Sequence, residues 1–304
     1  MTAATRVCLV GFGEVGQTLA ADLAQAGVEH LTAWDLQFTN PDSMPSRALQ
    51  GTRVRAASDG PTAVRDAQLV ISAVTAAQDA NAARSVLAGL APGSFYLDMN
   101  SVSPEMKREV ASIVTASGAR YVEGAVMSPI GPRRIASPIL LGGAHAEDFL
   151  RLGRTLGFTG AQVFAHEVGR ASAAKMCRSV MIKGLEALLT ESLLAARKHG
   201  VEATVLGSLQ DLIPAADWRQ LARYMISRSL LHGTRRAEEM REVAQTVANA
   251  GLTPHMSAAC AERQDWAAQF RAYAEADSLE GMLDSILGDL PPSCPSPAER
   301  GKGR

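Results

Sequence analysis

The sequence has little that would tie it to a disulfide framework, a nucleic acid or a bilayer. Only four cysteines, Cys8, Cys177, Cys260 and Cys294, occur in 304 residues, and no two form a C-x-x-C pair. That pattern argues for reduced thiols rather than disulfides or a zinc cluster. The six histidines are equally dispersed, without metal-ligand spacing. Neither sign of charge dominates: 30 basic residues face 31 acidic ones, which offers no basic surface to nucleic acid or to an anionic membrane. No apolar run approaches the roughly 20 residues needed to cross a bilayer. The opening MTAATRVCLVGFG lacks the charged start, long apolar core and cleavage site of a secretory leader. A cytoplasmic protein acting on a small molecule is the expectation.

What the first half does have is alternation. Short apolar runs at 6–11, 31–35, 52–57, 67–74, 94–99, 119–126, 138–143 and 161–165 are separated by helical stretches such as GQTLAADLAQAG. Continuous β-branched runs between helices predict a mostly parallel sheet covered on both faces, in a doubly wound α/β domain of Rossmann type. Near residue 166 the character changes. Residues 169–198 read as one long helix, with Leu185, Leu188, Leu189, Ser192, Leu193 and Ala196 on one side and Gly200 as its stop. Further helices are predicted at 202–212, 215–231, 234–250, 256–274 and 277–288. The expected layout is a dinucleotide-binding domain over 1–165, then an all-α substrate and dimerisation domain over 166–290. A disordered tail over 291–304, rich in Pro, Ser and charge, completes it.

Within that frame GFGEVG, residues 11–16, is a G-x-G-x-x-G loop with a strand before it, a helix after it and an acid, Asp35, ending the second strand. Gly11 permits the tight turn, Gly13 lets backbone approach a pyrophosphate, and Gly16 allows close helix–strand packing. Phe12, Glu14 and Val15 complete the loop, and the helix N-terminus favours phosphate. Asp35 is expected to accept from the ribose hydroxyls, which favours NAD and leaves NADP open. Val74 and Thr75, at the end of the fourth strand, join the expected cofactor set.

The chain resembles the β-hydroxyacid dehydrogenase family, relatives of 6-phosphogluconate dehydrogenase and 3-hydroxyisobutyrate dehydrogenase. The glycine loop is similar to that family's opening motif. DMNSVSP (98–104) looks like its D-x-S-T-x-x-P segment near the nicotinamide, VEGAVMSPIGP (122–132) its substrate loop, and GRASAAKMCRS (169–179) its lysine helix. HGTRRAEEM and GLTPHMSAA are similar to a branch with a poorly characterised helical C-terminal domain. The resemblance implies Lys175 as general acid/base, Val126, Met127, Ser128 and Ser179 beside the substrate, and Asn100 and Ser101 beside the cofactor. It also implies a homodimer. The loop has Met127, Ser128 and Pro129 where most members have S-G-G, and Ser179 stands where most have asparagine, so an unusual substrate is expected.

Several residues carry two readings on sequence alone. Lys175, among Ala173, Ala174, Met176 and Cys177, is either a shielded proton carrier or a lysine snorkelling to solvent. Met127 borders the substrate or plugs the core. Asn100 and Ser101 bind cofactor or cap the helix that begins near Pro104. Arg133, Arg134, Arg235 and Arg236 are anion clamps or solvated charges. The expected activity is reversible NAD(P)-dependent hydride transfer on a β-hydroxy acid, with decarboxylation of the oxo product open. Imine or ketimine reduction and a non-catalytic dinucleotide sensor are the alternatives.

Overall fold

The structure, a computed structural model, describes residues 5–209, 214 and 217–290. The tail at 291–304, the predicted helical residues at 210–212 and 215–216, and residue 213 lie outside the described residues. The chain divides into two compact units, Met1–Ser179 with Glu242–Pro254, and Val180–Arg241 with His255–Arg304.

The first unit is built on eight strands: β1 Arg6–Val10, β2 His30–Trp34, β3 Arg55–Ala56, β4 Leu69–Ser72, β5 Phe95–Asp98, β6 Arg120–Val126, β7 Ile139–Gly142 and β8 Ala161–Ala165. They lie in the order β3-β2-β1-β4-β5-β6-β7-β8. Strands β1 to β6 are parallel, β7 runs antiparallel to β6, and β8 is parallel to β7. The strand order reverses direction between β1 and β4, the switch point where sheets of this kind open a crevice at the carboxyl ends of their strands.

Strand periodicity sorts the core into two layers. Val7 and Leu9 face one layer with Leu97 and Phe149. Cys8 and Val10 face the other with Val70, Tyr96 and Val110. Both faces are covered, which is why these strands read as unbroken apolar runs. Seven helices belong to this part: α1 Glu14–Gln25, α2 Met44–Ala48, α3 Gly60–Val64, α4 Asp79–Val86, α5 Pro104–Thr115, α6 Ile130–Arg133 and α7 Ala146–Thr155. In α1, Gly16, Leu19, Ala20 and Leu23 make the buried stripe, and Gly27, at φ +87°, ends the turn that follows.

The helical part comprises α8 Arg170–Lys198, α9 Glu202–Ser208, α10 Trp218–Asn249, α11 His255–Ala268 and α12 Leu279–Gly288. Two sequence expectations are corrected here. Instead of two helices meeting near His232, α10 runs unbroken for 32 residues. Gly233 lies within it: a Cβ there would lie 2.3 Å from the Gln264 carbonyl and 2.9 Å from the Ala268 Cβ, so glycine lets α10 and α11 pack backbone to backbone. The buried side of α8 is also different. Leu189, Leu193 and Ala196 are buried, whereas Leu188 is 54% exposed and Ser192 is exposed. The true buried stripe includes Glu186 and Thr190, polar residues that a hydrophobic pattern assigns to solvent. Glu186 is neutralised there by Arg236.

Candidate active site

The sheet gathers the expected residues at one edge. Trp34, Val10, Ser72, Asp98 and Glu123 are successive partners across β2, β1, β4, β5 and β6. One step beyond this row the chain leaves the sheet on each of β2, β1, β4 and β5. The exits carry Asp35, the glycine loop, Val74 with Thr75, and Asn100 with Ser101. Strand β6 runs on to Val126, and Met127 and Ser128 follow it.

The glycine loop is fixed by contacts that leave little freedom. Gly11 has φ +91°, and a Cβ on it would fall 2.4 Å from the Ala73 carbonyl and 2.8 Å from a Val74 methyl. Its N–H donates to the Trp34 carbonyl at 2.9 Å. A Cβ on Gly16 would sit 2.3 Å from the Gly11 carbonyl, whereas one on Gly13 would meet nothing within 4 Å. The first and third glycines are therefore demanded by the fold, and the middle one faces open space where a ligand can approach. Gly13 caps α1 without any side-chain hydrogen bond to the first-turn amides, which suits a phosphate. Phe12 is buried and Val15 packs on the core, while Glu14 is exposed. Gly11→Ala is expected to cost about 2–4 kcal/mol of stability, read as a lowered urea midpoint with nicotinamide binding lost in parallel.

Asp35 accepts from the Phe12 N–H at 2.7 Å through Oδ2 and from the Gln37 N–H at 2.8 Å through Oδ1. Each oxygen keeps a second lone pair, so the carboxylate can tie the loop and still receive ribose hydroxyls. The fit to a dinucleotide is thus good on this chain's own geometry.

Asn100 and Ser101 are not helix caps. Ser103 caps α5, accepting from the Met106 N–H. The buried Asn100 side chain accepts from the Val74 N–H at 2.6 Å and donates to Ser72 Oγ at 2.9 Å and to Asp79 Oδ1 at 2.7 Å. Lys175, in the second turn of α8, donates from Nζ to Ser101 Oγ at 2.5 Å. Its side chain turns back to the strand ends instead of snorkelling away. Ser179, one turn on, is buried.

Glu123 anchors the start of that helix. It is fully buried on β6 and accepts from the Gly169 N–H at 2.7 Å and the Ser172 N–H at 2.6 Å. A carboxylate at a helix N-terminus satisfies orphan donors and matches the dipole. A charged residue in the apolar run RYVEGAV was a legible signal for such a role. Asp79 and Lys107 gave none, because each sits in a stretch that reads as ordinary surface helix.

The substrate loop is partly spent on its own support. The Met127 N–H donates to the Pro138 carbonyl at 2.9 Å, and Ser128 Oγ donates to the Pro129 carbonyl at 3.2 Å. Val126, Met127 and Ser128 are all half-buried. Of the four arginines, Arg134 donates to Asp22 at 2.7 Å, Arg236 pairs with Glu186, and Arg235 lies 3.8 Å from Glu239. These three face carboxylates of this chain, and Arg133 is exposed. Burial pushes the Cys8 thiol up to about 12 and the Cys260 thiol up to about 11, so neither is poised as a nucleophile.

Fold, glycine loop and strand-end acid together define a nicotinamide-dinucleotide-binding α/β protein. The chain belongs to the family of 6-phosphogluconate dehydrogenase-type proteins: residues 6–169 match the NAD binding domain of 6-phosphogluconate dehydrogenase. Residues 196–267 match a domain of unknown function, DUF1932. One solved structure, of a conserved protein described as structurally similar to 3-hydroxyacid dehydrogenases, shares 32% identity at a TM-score of 0.67. The match covers 91% of this chain and 99% of that one. Mitochondrial 3-hydroxyisobutyrate dehydrogenase of Bos taurus is 23% identical over 221 residues, 72% of this chain but only 65% of that protein. The NAD-dependent L-serine dehydrogenase of Pseudomonas aeruginosa is 23% identical over 218 residues, 70% of this chain and 71% of the relative. Among the described residues no helix is long and apolar enough to cross a membrane.

Proposed function

We propose that the chain oxidises a β-hydroxy acid, or reduces the matching oxo acid, with NAD and with NADP as a possible second cofactor. The observation that carries this reading is the bond from Lys175 to Ser101 at the strand end. It puts the amine where Asn100 and Val74 also converge. When bound, the nicotinamide ring supplies the hydride acceptor. Gly11 to Gly16 and Asp35 hold the dinucleotide, and Asn100 fixes the Val74 amide. Lys175, in its neutral form, takes the hydroxyl proton as the carbinol C–H bond is lost. As ammonium it returns that proton to a carbonyl oxygen in the reverse direction. Ser101 and Ser179 orient the amine or the substrate, and Val126, Met127 and Ser128 border the substrate. Met127 makes that border less polar than the S-G-G of most members, which favours a bulkier acid. Loss of carbon dioxide from the 3-oxo product belongs to the same proposal.

The reading takes residues 166–290 as the part that binds substrate and forms a homodimer. Met181, 73% exposed, and Leu188 lie seven residues apart on α8, which supports such a contact. The free thiols of Cys8, Cys177 and Cys260 accord with a cytoplasmic location. The test is nicotinamide absorbance with NAD and NADP and a panel of 3-hydroxy acids, aromatic ones included. Turnover of one class supports the proposal. Cofactor binding with no turnover of any acid in either direction sinks it, and cyclic imines are then the next substrates to offer.

A further inference from the structure

Beneath Asn100 lies a buried charged cluster that the proposed reaction does not use. Asp98, at the end of β5, is fully buried. Its Oδ1 accepts from Lys107 Nζ at 2.7 Å and from the Asn100 N–H at 3.0 Å, and its Oδ2 accepts from the Tyr121 hydroxyl at 2.8 Å. Lys107, from α5, is also fully buried and donates to the Asp98 carbonyl at 3.1 Å. Asp79, the first residue of α4, is 1% exposed, with Oδ1 accepting from Asn100 and Oδ2 buried without a hydrogen-bond partner. Two buried carboxyl groups thus share one buried cation.

We propose that Asp79 is a positioning residue that works as a neutral carboxylic acid, fixing Asn100 and, through it, the Val74 amide and the Ser101 partner of Lys175. Two carboxylate oxygens cannot bond to each other. A proton on Asp79 Oδ2 lets this otherwise unpartnered oxygen act as a donor, with Asp98 as the neighbouring acceptor, and it leaves the cluster with one anion and one cation. Burial first and the Asp98 charge second push the Asp79 carboxyl up to about 8, against the pull of Lys107 and Asn100. Two buried phenols also lie near it. Tyr96 and Tyr121 are raised well above the usual phenol range, burial being the main cause and the Asp98 charge the next. Strand β4 and helix α3, which pack on α4, contain no titratable residue. The pair Arg84–Glu109 between α4 and α5 is about half exposed.

Ionising Asp79 sets two anions against one cation under the loop that carries Asn100. The Asn100 amide, Val74 N–H and Ser101 are then held less firmly, and cofactor affinity falls on the alkaline side of neutrality. The inference rests on the placement of these residues beside the nicotinamide, so its test measures binding and protonation rather than turnover. NADH fluorescence is titrated on wild type and on Asp79→Asn at pH values on both sides of 8. Wild-type affinity is expected to weaken roughly tenfold through that range, and the variant, which stays neutral, by less than about twofold. A flat wild-type profile, or a variant that keeps the wild-type transition, overturns the proposal. If Asp79→Asn does not fold, carbon-13 NMR of the wild-type aspartate carboxyls decides. One carboxyl titrating near 8 together with the loss of NADH affinity supports the role. No such titration, or a titration with affinity unchanged, overturns it. Failure of the hydroxy-acid reading looks different: binding and titration as stated, with no acid turned over.

Discussion

Lys175→Ala is expected to lower kcat by about 100-fold or more, with cofactor affinity within about twofold of wild type. The reason is the separation of roles along the strand ends. In the proposed function the dinucleotide is held by the glycine loop and Asp35, which are tied together by the Phe12 N–H to Asp35 bond and by the Gly11 N–H to the Trp34 carbonyl. The amine meets Ser101, and in the proposed reaction it takes the proton that leaves oxygen. A positioned acid/base contributes roughly 10²–10⁴ in rate, and it acts in the transition state, so kcat and kcat/KM fall together. Two companions sharpen the test. Lys175→Arg keeps the charge but cannot release its proton near neutral pH, and it is expected to be as inactive as the alanine variant. A small primary amine added to Lys175→Ala is expected to restore part of the rate. An arginine variant near wild-type activity would remove Lys175 from proton transfer.

Lys107→Met should have the largest effect on stability, a loss on the order of 3–5 kcal/mol in urea unfolding at neutral pH. Methionine fills similar volume, so the loss is electrostatic. Lys107 and Asp98 are both 0% exposed, and removing the cation strands a carboxylate with no water to turn to. The dependence on pH has a definite sign. Asp79 is raised in the folded state from an ordinary value near 3.8 to about 8. It therefore favours folding most below the ordinary value, and that contribution drains away as pH rises to about 8, by up to about 1.4 kcal/mol per unit. Without Lys107 the acid is held to still higher pH, so the variant's deficit should widen on the alkaline side and narrow on acidification. Adding Asp79→Asn to Lys107→Met is expected to recover part of the loss. Additivity of the two changes would show that the groups do not interact.

Local physics made the strands of the sheet unit legible. Buried parallel strands must be apolar throughout, and the glycine loop needs its residues for steric reasons that any sequence displays. The candidate site was legible as loops at strand ends, because those loops follow the strands. Its support was hidden, because it depends on pairings far apart in the chain. Lys107 sits in PEMKREV and reads as a surface lysine until β5 brings Asp98 beneath it. Glu186 broke the apolar pattern of α8 because its partners, Arg236 and Gln264, lie on other helices, and Thr190 is buried by returning its hydroxyl to the Glu186 carbonyl one turn back. The break expected between 231 and 234 is absent because Gly233 serves a close approach to the Gln264 backbone, over thirty residues on.

The first unit is not a continuous stretch of chain. It is completed by Glu242–Pro254, and the Ser103 N–H donates to Glu242 Oε2 at 2.9 Å across 139 positions. During synthesis Ser103 emerges with that acceptor still unmade, and it waits until the 139 further positions up to Glu242 have been translated. A gene cut after Ser179 would encode the sheet unit without its last segment. Separate expression of the two halves, useful for many two-domain enzymes, therefore requires grafting 242–254 back by circular permutation or a designed linker.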